Sequence, residues 1–338
     1  MILLQKKTDF TFLSRYRGAL MGVAILWIYL YHQGPIGIPG YDQVVPIGWA
    51  GVEIFFLLSA IGLCYSLQKN GNIIQFFQRR IVRIIPTWWV IISVGAKRRE
   101  VAGSAIPNIW WKWIGWYSGL GWWLQGWMVD SAGSSFEWYI PTLLAFYITT
   151  PWLFKLNKHT IGILIGVAVV LGIIASYYGW GKSVYMSWER IPVYMLGVLI
   201  FNMINKEVEV WKLIVFAMIG FSIFIGGYML KDQNLILSLS IRRYGMLGML
   251  PILLYCVTLV ISRVEYLNKL LFFLGSISLE IYLIHINPNV TNYIFGNIKT
   301  MYPNPLDIII TLVVIIIISY VINVLMKLIL KKKRLVLI

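Results

Sequence analysis

The sequence predicts an all-α, polytopic membrane protein with about ten transmembrane helices and both termini in the cytoplasm. Of its 338 residues, 59% are hydrophobic and 12% are charged, whereas soluble domains average about 25% charged residues. The mean hydropathy is +0.76. A transmembrane helix needs about 20 apolar residues, so this length allows about ten spans joined by short loops. We therefore predict a single integral membrane domain over residues 1–338.

Ten apolar stretches follow one another along the chain, and the charge of the loops between them predicts the topology. The stretches cover residues 17–32, 45–67, 81–96, 138–156, 161–179, 191–204, 211–230, 241–262, 271–294 and 307–330. Basic residues are enriched in cytoplasmic loops. A cytoplasmic N terminus puts most basic clusters, including the tail Lys331–Arg334, on that side, and Lys97–Arg99 is the exception. Topology thus accounts for the net charge of +16, and we expect no nucleic-acid partner.

Residues 107–127 have the most unusual composition in the chain, because they are dense in tryptophan and interrupted by glycine. Tryptophan prefers the headgroup level of a bilayer. We therefore predict an interfacial or re-entrant element on the outer face. It either anchors the protein in the membrane or provides a stacking platform for sugar rings, and the sequence leaves both open.

Two of the three histidines lie in membrane-length apolar segments. His32 ends the first stretch, and His285 lies in the ninth. A histidine there is costly to bury, which makes it a candidate for a functional site. Because imidazole takes a proton near neutral pH, His32 is a candidate general base and His285 a candidate residue of the same cavity. The alternatives are an interfacial histidine at a helix end for His32 and a structural role for His285.

Glu53 and Glu280 are the acidic residues placed deepest in the apolar stretches. A carboxylate there needs a partner or a water-filled cavity. Glu53 either orients His32, binds a cation or makes a buried structural hydrogen bond. Glu280 and His285 are five residues apart, about 140° around a helix. We therefore expect Glu280 to point to a neighbouring helix while His285 lines the cavity.

Arg79, Arg80 and Arg83 form a basic cluster before Pro86 on the predicted cytoplasmic side. Residues three or four apart share a helical face, so Arg83 lies with Arg79 or Arg80. A guanidinium fork grips two phosphate oxygens, which favours a site for an anionic ligand, and a pure topology signal is the alternative. Arg242 begins the eighth stretch on the outer side, where it either holds a polar substrate or anchors the interface.

Several catalytic motifs of soluble enzymes are missing from the sequence. It contains no G-x-S-x-G, Walker or H-E-x-x-H motif, which weighs against a serine hydrolase, an ATPase and a zinc protease. Cys64 and Cys256 are isolated in apolar stretches and have no metal-ligand spacing. We expect no metal site and no permanently bound cofactor.

Five phrases of the sequence occur in an order that resembles the acyltransferase-3 family of integral membrane acyltransferases. They are "MGVAILWIYLYH", "VEIFFLLSA", "RRIVRIIPTWW", "FEWYIPTLLAFYITTPWLF" and "LGSISLEIYLIHINP". Each phrase is mostly apolar and carries little information alone. Together they span nearly the whole chain and form a specific signal.

The resemblance implies an O-acyltransferase, usually an O-acetyltransferase, whose donor is cytoplasmic acyl-CoA, usually acetyl-CoA. The acceptor is a hydroxyl of a cell-surface polysaccharide or a lipid-linked sugar. The chain is then a multi-pass protein of the bacterial cytoplasmic membrane with one acyltransferase domain. Its expected partners are the membrane, the acyl donor and the glycan.

The resemblance also implies roles for the residues singled out above. His32 is the candidate catalytic base, and Glu53 and His285 are further catalytic candidates. The residues expected on the donor side are Arg79, Arg80, Arg83 and Arg17. Those expected to contact the acceptor are Glu280, Arg242 and Trp138. The family often has a basic residue where this chain has Met21, and Arg17 lies one turn earlier on the same helical face.

A proton-coupled transporter or flippase of a lipid-linked or acylated sugar is the alternative function. Such carriers also use intramembrane histidine and glutamate. The sequence shows no inverted repeat and no matching pair of helices broken by glycine or proline. These absences favour the acyltransferase.

Overall fold

The computed structural model describes residues 7–101, 110–124, 138–180, 184–287, 290–291 and 304–336, and these are almost wholly helical. The elements are β1 (Lys7–Thr8), α1 (Thr11–Arg15), α2 (Arg17–Gln33), α3 (Tyr41–Val44), a 3₁₀ turn (Val45–Ile47), α4 (Ala50–Lys69), α5 (Ile73–Val101), α6 (Trp110–Ser118), α7 (Leu120–Trp123), α8 (Tyr139–Leu153), α9 (Lys158–Tyr178), α10 (Tyr185–Trp188), α11 (Ile191–Phe201), β2 (Val208–Glu209), α12 (Val210–Met229), α13 (Leu235–Ile261), α14 (Glu265–Ser276), α15 (Ser278–Ile286) and α16 (Pro305–Val336).

The all-α prediction is confirmed, and each of the ten predicted apolar stretches coincides with a described helix or, for the ninth, with the broken pair α14 and α15. Among the described helices, α4, α9, α12, α13 and α16 are long and apolar enough to cross a membrane. A sixth span results if α14 and α15, bent by 62°, are counted as one. By contrast, α8 has 15 residues and α11 has 11. The count of ten spans and the cytoplasmic position of both termini therefore stay predictions.

The described residues fall into two compact units that alternate along the chain. The first unit lies within residues 1–24, 50–71 and 142–272, and the second within 25–49, 72–141 and 273–338. The chain passes between them five times. The single domain over residues 1–338 stays a prediction.

In the first unit, helix α4 is the most buried long element. It packs against α1, α11 and α13, while α11 also contacts α9 and α13. Its buried residues occupy all sides of the helix, as expected for a helix that is apolar all round. A short antiparallel pair of strands, with Lys7 opposite Glu209, joins the N-terminal segment to the start of α12.

Glycines allow α12 and α13 to approach closely in the same unit. A Cβ atom at Gly220 of α12 would meet the carbonyl oxygen of Gly245 and would lie 3.0 Å from the Cα atom of Gly248. Helices in membranes associate through such small residues because the backbones come into van der Waals contact. Gly226, on the exposed side of α12, has no atom of another described helix within 4 Å of the equivalent position.

In the second unit, α5, α15 and α16 pack against one another. The end of α2 is tied to α16 because the Tyr29 hydroxyl donates to the carbonyl oxygen of Ile308 at 2.9 Å. The described part of the tryptophan-rich segment, residues 110–124, forms the short helices α6 and α7 on either side of Gly119. The rest of that segment lies outside the described residues, and its interfacial position stays a prediction.

We predict that Gly220→Leu lowers the thermal stability of the protein in detergent, while Gly226→Leu leaves it unchanged. The first substitution overpacks the contact between α12 and α13, which typically costs about 1–3 kcal/mol. The second adds a side chain to an open surface of the same helix. Thermal unfolding of the purified variants measures the difference, and equal midpoints would contradict the close packing described above.

Candidate active site

His32 lies on the last turn of α2, where the helix gives way to an ordered loop. The helix ends at Gln33, and Gly34 follows with a φ of +79°, the left-handed conformation that favours glycine after a helix. The loop is closed by Asp42, whose carboxylate accepts the backbone N–H groups of Ile36 at 2.8 Å and Gly37 at 2.9 Å. These bonds hold His32 at a defined and exposed helix end.

Tyr41 reinforces the same loop from its other end. Its hydroxyl donates to the carbonyl oxygen of Leu30 at 3.5 Å, on the last turns of α2. Burial, followed by the negative charge of Asp42, raises the pKa of Tyr41 above its ordinary value. The phenol therefore remains a neutral hydrogen-bond donor at physiological pH.

His285 lies near the end of α15 and is buried. Its Nδ1 atom is 2.7 Å from the carbonyl oxygen of Ile281, one turn earlier in the same helix. A carbonyl oxygen only accepts hydrogen bonds. The bond therefore places a proton on Nδ1 of His285 and fixes the orientation of its ring.

The structure brings His32 and His285 together although 253 positions separate them in the sequence. The Nδ1 atom of His32 is 3.1 Å from the Nε2 atom of His285. The ring centroids are 5.1 Å apart, and the ring planes are inclined by 50°. We call these two residues the histidine pair.

The hydrogen bonds of the histidine pair assign the proton positions in its neutral form. Because Nδ1 of His285 carries the proton, its Nε2 atom is the acceptor. The bond between the rings is then donated by Nδ1 of His32. The lone pair of His32 consequently lies on Nε2, the atom directed away from this bond. This proton assignment follows from the partners of each nitrogen.

This arrangement suits His32 as a general base. A base works best when a second group fixes its tautomer and stabilises the charge that it acquires, as the triad logic of hydrolases requires. Here Nε2 of His32 can take a proton, while Nδ1–H of the resulting imidazolium donates to His285. The contact places His285 where it can orient His32, and the catalytic roles of both histidines stay predictions.

Aromatic side chains surround the buried member of the pair. The rings of Tyr29 and Tyr282 lie edge-on to His285, with centroids 5.8 Å and 5.7 Å away. The ring of Tyr282 lies 4.7 Å from that of Tyr139, which in turn contacts Trp138 at 6.2 Å. Trp138 is buried. A series of ring contacts, through Tyr139 and then Tyr282, connects it to His285. The role of Trp138 in binding the acceptor stays a prediction.

Glu280 points away from the histidine pair, toward α16. Its carboxylate is buried and accepts a hydrogen bond from Nδ2 of Asn323 at 2.8 Å. Glu280 and His285 are thus on the same short helix α15 but contact different elements. The proposed contact between Glu280 and the acceptor stays a prediction.

The first unit contains a second group of buried ionisable residues, which we call the charge cluster: Glu53, Glu189, Arg190 and Arg243. Nε of Arg190 lies 3.1 Å from Oε1 of Glu53, and its Nη1 lies 3.8 Å from Oε2 of Glu189. Arg243 forms an ion pair with Glu189, which also accepts a hydrogen bond from Ser240. Two carboxylates and two guanidinium groups balance each other, which lowers the cost of burying all four.

The charge cluster gives Glu53 a partner that the sequence did not identify. Glu53 belongs to α4, Arg190 precedes α11 and Arg243 belongs to α13, so the ion pairs join three helices. In the sequence, Glu189 and Arg190 are neighbours just before one apolar stretch, and Arg243 lies at the start of another. The need of a buried charge for an opposite charge is the signal that could have found them. The role of Glu53 in orienting His32 stays a prediction.

The predicted residues Arg17 and Arg242 both make contacts in the first unit. Nε of Arg17 donates to the carbonyl oxygen of Leu58 at 3.0 Å, and its guanidinium covers Gly62. The guanidinium of Arg242 lies over the ring of Tyr228, 4.9 Å from its centroid. Their roles toward donor and acceptor stay predictions.

The predicted basic cluster Arg79, Arg80 and Arg83 lies on α5 in the second unit. Arg79 and Arg80 are partly buried, and the guanidinium of Arg80 lies 5.3 Å from the ring centroid of Phe76. Arg83 is exposed. Among the described residues, no group of three or more His, Cys, Asp or Glu side chains has the arrangement of a metal site.

We predict that Arg243→Met destabilises the protein far more than Arg242→Met does. The first substitution leaves Glu189 buried with one cation fewer, and breaking a buried ion pair typically costs about 3–5 kcal/mol. The second removes a contact with an aromatic ring worth about 1 kcal/mol or less. Thermal unfolding of both variants in the same detergent compares these adjacent arginines. Similar losses in the two variants would show that Arg243 does not support the charge cluster.

Comparison with known proteins identifies the family of the chain. Residues 19–324 match a family model described as an acyltransferase domain. No curated protein and no solved structure matches the chain. The family match covers most of the chain and includes His32, His285 and the basic cluster of α5. The chain therefore belongs to the acyltransferase-3 family, as its five sequence phrases predicted.

Proposed function

We propose that this multi-pass membrane acyltransferase is an O-acyltransferase that uses cytoplasmic acyl-CoA, in particular acetyl-CoA, as its donor. The acceptor is a hydroxyl group of a cell-surface polysaccharide or a lipid-linked sugar. The enzyme acts in the bacterial cytoplasmic membrane. The histidine pair supports this proposal most directly, because its geometry suits the removal of a proton from a hydroxyl.

The proton of the acceptor hydroxyl goes to Nε2 of His32 in this proposal. The hydroxyl oxygen then forms the new ester bond to the acyl carbon, and the bond from that carbon to its leaving group breaks. His285 keeps the bond to Nδ1–H of His32 while the imidazolium exists. The rings of Tyr29 and Tyr282 pack beside His285, the buried member of the pair.

The donor is assigned to the basic cluster of α5 for an electrostatic reason. Coenzyme A is an anion, and Arg79, Arg80 and Arg83 supply guanidinium groups that bind phosphate oxygens in pairs. The charge rule of membrane topology puts these arginines on the cytoplasmic side, where acyl-CoA is found. No described feature favours the transporter alternative over the acyltransferase that the family match indicates.

We predict that His32→Ala abolishes O-acylation of the surface glycan, with a loss of at least about 10²-fold, the usual contribution of a general base. His285→Phe keeps a ring but removes the acceptor for Nδ1–H of His32, and we expect a loss of about 10²-fold from misorientation. Mass spectrometry and NMR of glycan from complemented deletion cells measure the acyl content.

The third histidine provides the control for this prediction. His159 is exposed at the start of α9, so His159→Ala should acylate the glycan as the wild type does. Immunoblots of membranes confirm equal amounts of each variant. Acylation by His32→Ala at the wild-type rate would exclude His32 as the base. If deletion of the gene leaves acylation intact and reduces glycan export, the transporter function takes its place.

A further inference from the structure

The histidine pair brings two imidazole nitrogen atoms together at one place. Nδ1 of His32 and Nε2 of His285 are 3.1 Å apart, and both residues belong to the second unit. Imidazole is the commonest metal ligand in proteins, and its nitrogen suits Zn²⁺ and Cu²⁺. The two atoms that share a hydrogen bond are therefore also candidate metal ligands.

The distance between these two atoms is suitable for a shared metal ion. Zinc binds imidazole nitrogen at about 2.0–2.1 Å, which puts two nitrogen ligands about 3.3 Å apart at a tetrahedral angle. At the right angle of a tetragonal Cu²⁺ site they are about 2.9 Å apart. The observed 3.1 Å lies between these values. An ion lies beside the line that joins the atoms, so one ring has to turn, and His32 is exposed at the end of α2.

His285 already has the orientation of a metal ligand. Its Nδ1 atom is 2.7 Å from the carbonyl oxygen of Ile281. Histidines that bind metal almost always donate their second N–H to a carbonyl, a carboxylate or water, because this bond fixes the tautomer and the direction of the ring. The lone pair of Nε2 is consequently directed toward His32. This bond to the backbone is the second observation that points to a metal.

We propose that the histidine pair binds a divalent transition-metal ion, Zn²⁺ in particular, and that the bound ion inhibits the enzyme. Nδ1 of His32 and Nε2 of His285 are the protein ligands, and water completes the coordination. Catalytic zinc sites have three protein ligands, so a site with two fits a reversible inhibitor better than a resident cofactor. The ligands are 253 positions apart, which explains why no local spacing in the sequence predicted a metal site.

The inhibition follows from the position of one proton on His32, and this part rests on the proposed function. In the metal-free pair the proton is on Nδ1, and Nε2 is the base. A metal ion uses the lone pair of Nδ1, so the proton of the neutral ring moves to Nε2 by exchange with solvent. Nε2 then cannot take the proton of the acceptor hydroxyl. The ring gains and loses no proton overall, and the binding of the ion does not depend on the proposed function.

Calorimetry of the full-length protein in detergent, purified through a tag without histidine, measures the binding of ZnCl₂. The wild type should bind zinc, and so should the control His159→Ala, which removes an exposed histidine of the first unit. His32→Ala and His285→Phe should each weaken binding at least about 100-fold, because the loss of an outer-shell partner alone costs about 10–100-fold. MgCl₂ should not bind, since Mg²⁺ prefers oxygen ligands. Equal zinc binding by the wild type and His285→Phe would exclude the site.

Thermal unfolding separates loss of the site from loss of the fold. Without metal, the midpoints show whether each variant is folded. A ligand that binds the folded state raises the midpoint, so ZnCl₂ should raise it for the wild type and His159→Ala but not for His32→Ala or His285→Phe. In ¹⁵N NMR of the wild type, zinc should move the proton of His32 from Nδ1 to Nε2, and a proton that stays on Nδ1 would exclude this atom as a ligand.

Membranes of complemented deletion cells, supplied with labelled acetyl-CoA, test the inhibition. ZnCl₂ should suppress transfer of the label to glycan, EDTA should restore it, and MgCl₂ should have no effect. Zinc that binds the pair without slowing acylation would overturn the inhibition and would also contradict His32 as the base. If the wild type acylates glycan but binds no zinc, the metal site is excluded and the proposed function stands.

Discussion

One constraint governs this structure: a charged or strongly polar side chain buried among apolar helices needs a partner. The carboxylate of Glu189 is bound by Arg243, Glu53 is paired with Arg190, and Glu280 accepts a hydrogen bond from Asn323. Each of these contacts joins a helix to another helix or, for Glu189 and Arg190, to the residues that lead into α11, and so limits the rotation of the helices about their own axes. Apolar packing alone specifies rotation poorly in helices that are hydrophobic on all sides.

The charge cluster and the histidine pair differ in how their polar groups are buried and paired. The charge cluster is buried and electrically balanced, and its predicted effect is on stability. The histidine pair has one buried member and one exposed member. His285 is fixed by a backbone carbonyl and aromatic rings, so its proton position is set before any substrate arrives. His32 lies at an exposed helix end, and its proposed role is to take the proton of the acceptor hydroxyl at Nε2.

The helices can be predicted from the sequence because an apolar stretch in a chain of this composition has few alternatives to a helix. The length of α5 cannot, since the apolar stretch covers 81–96 and the helix extends over Ile73–Val101. Charged residues at both ends interrupt the apolar stretch but are good helix formers. The number of spans was not settled, since α8 and α11 are helical but short.

The sequence identified both members of the histidine pair by residue type and surroundings, but not their contact. A contact across 253 positions depends on how the helices pack, which no local pattern encodes. The partners of Arg242 and Arg243 also could not be predicted from the sequence. These adjacent residues point about 100° apart around the helix, but only the packing of α13 shows that Arg243 enters the charge cluster while Arg242 covers Tyr228.

The most direct test of this account is the proton position on His32. With only three histidines in the chain, ¹⁵N NMR of ring-labelled protein resolves each one, and the variants His159→Ala and His285→Phe assign the signals. The account predicts that neutral His32 is protonated at Nδ1 and bare at Nε2 in the wild type, and loses this preference in His285→Phe. A neutral His32 protonated at Nε2 in the wild type would contradict its role as a base oriented by His285.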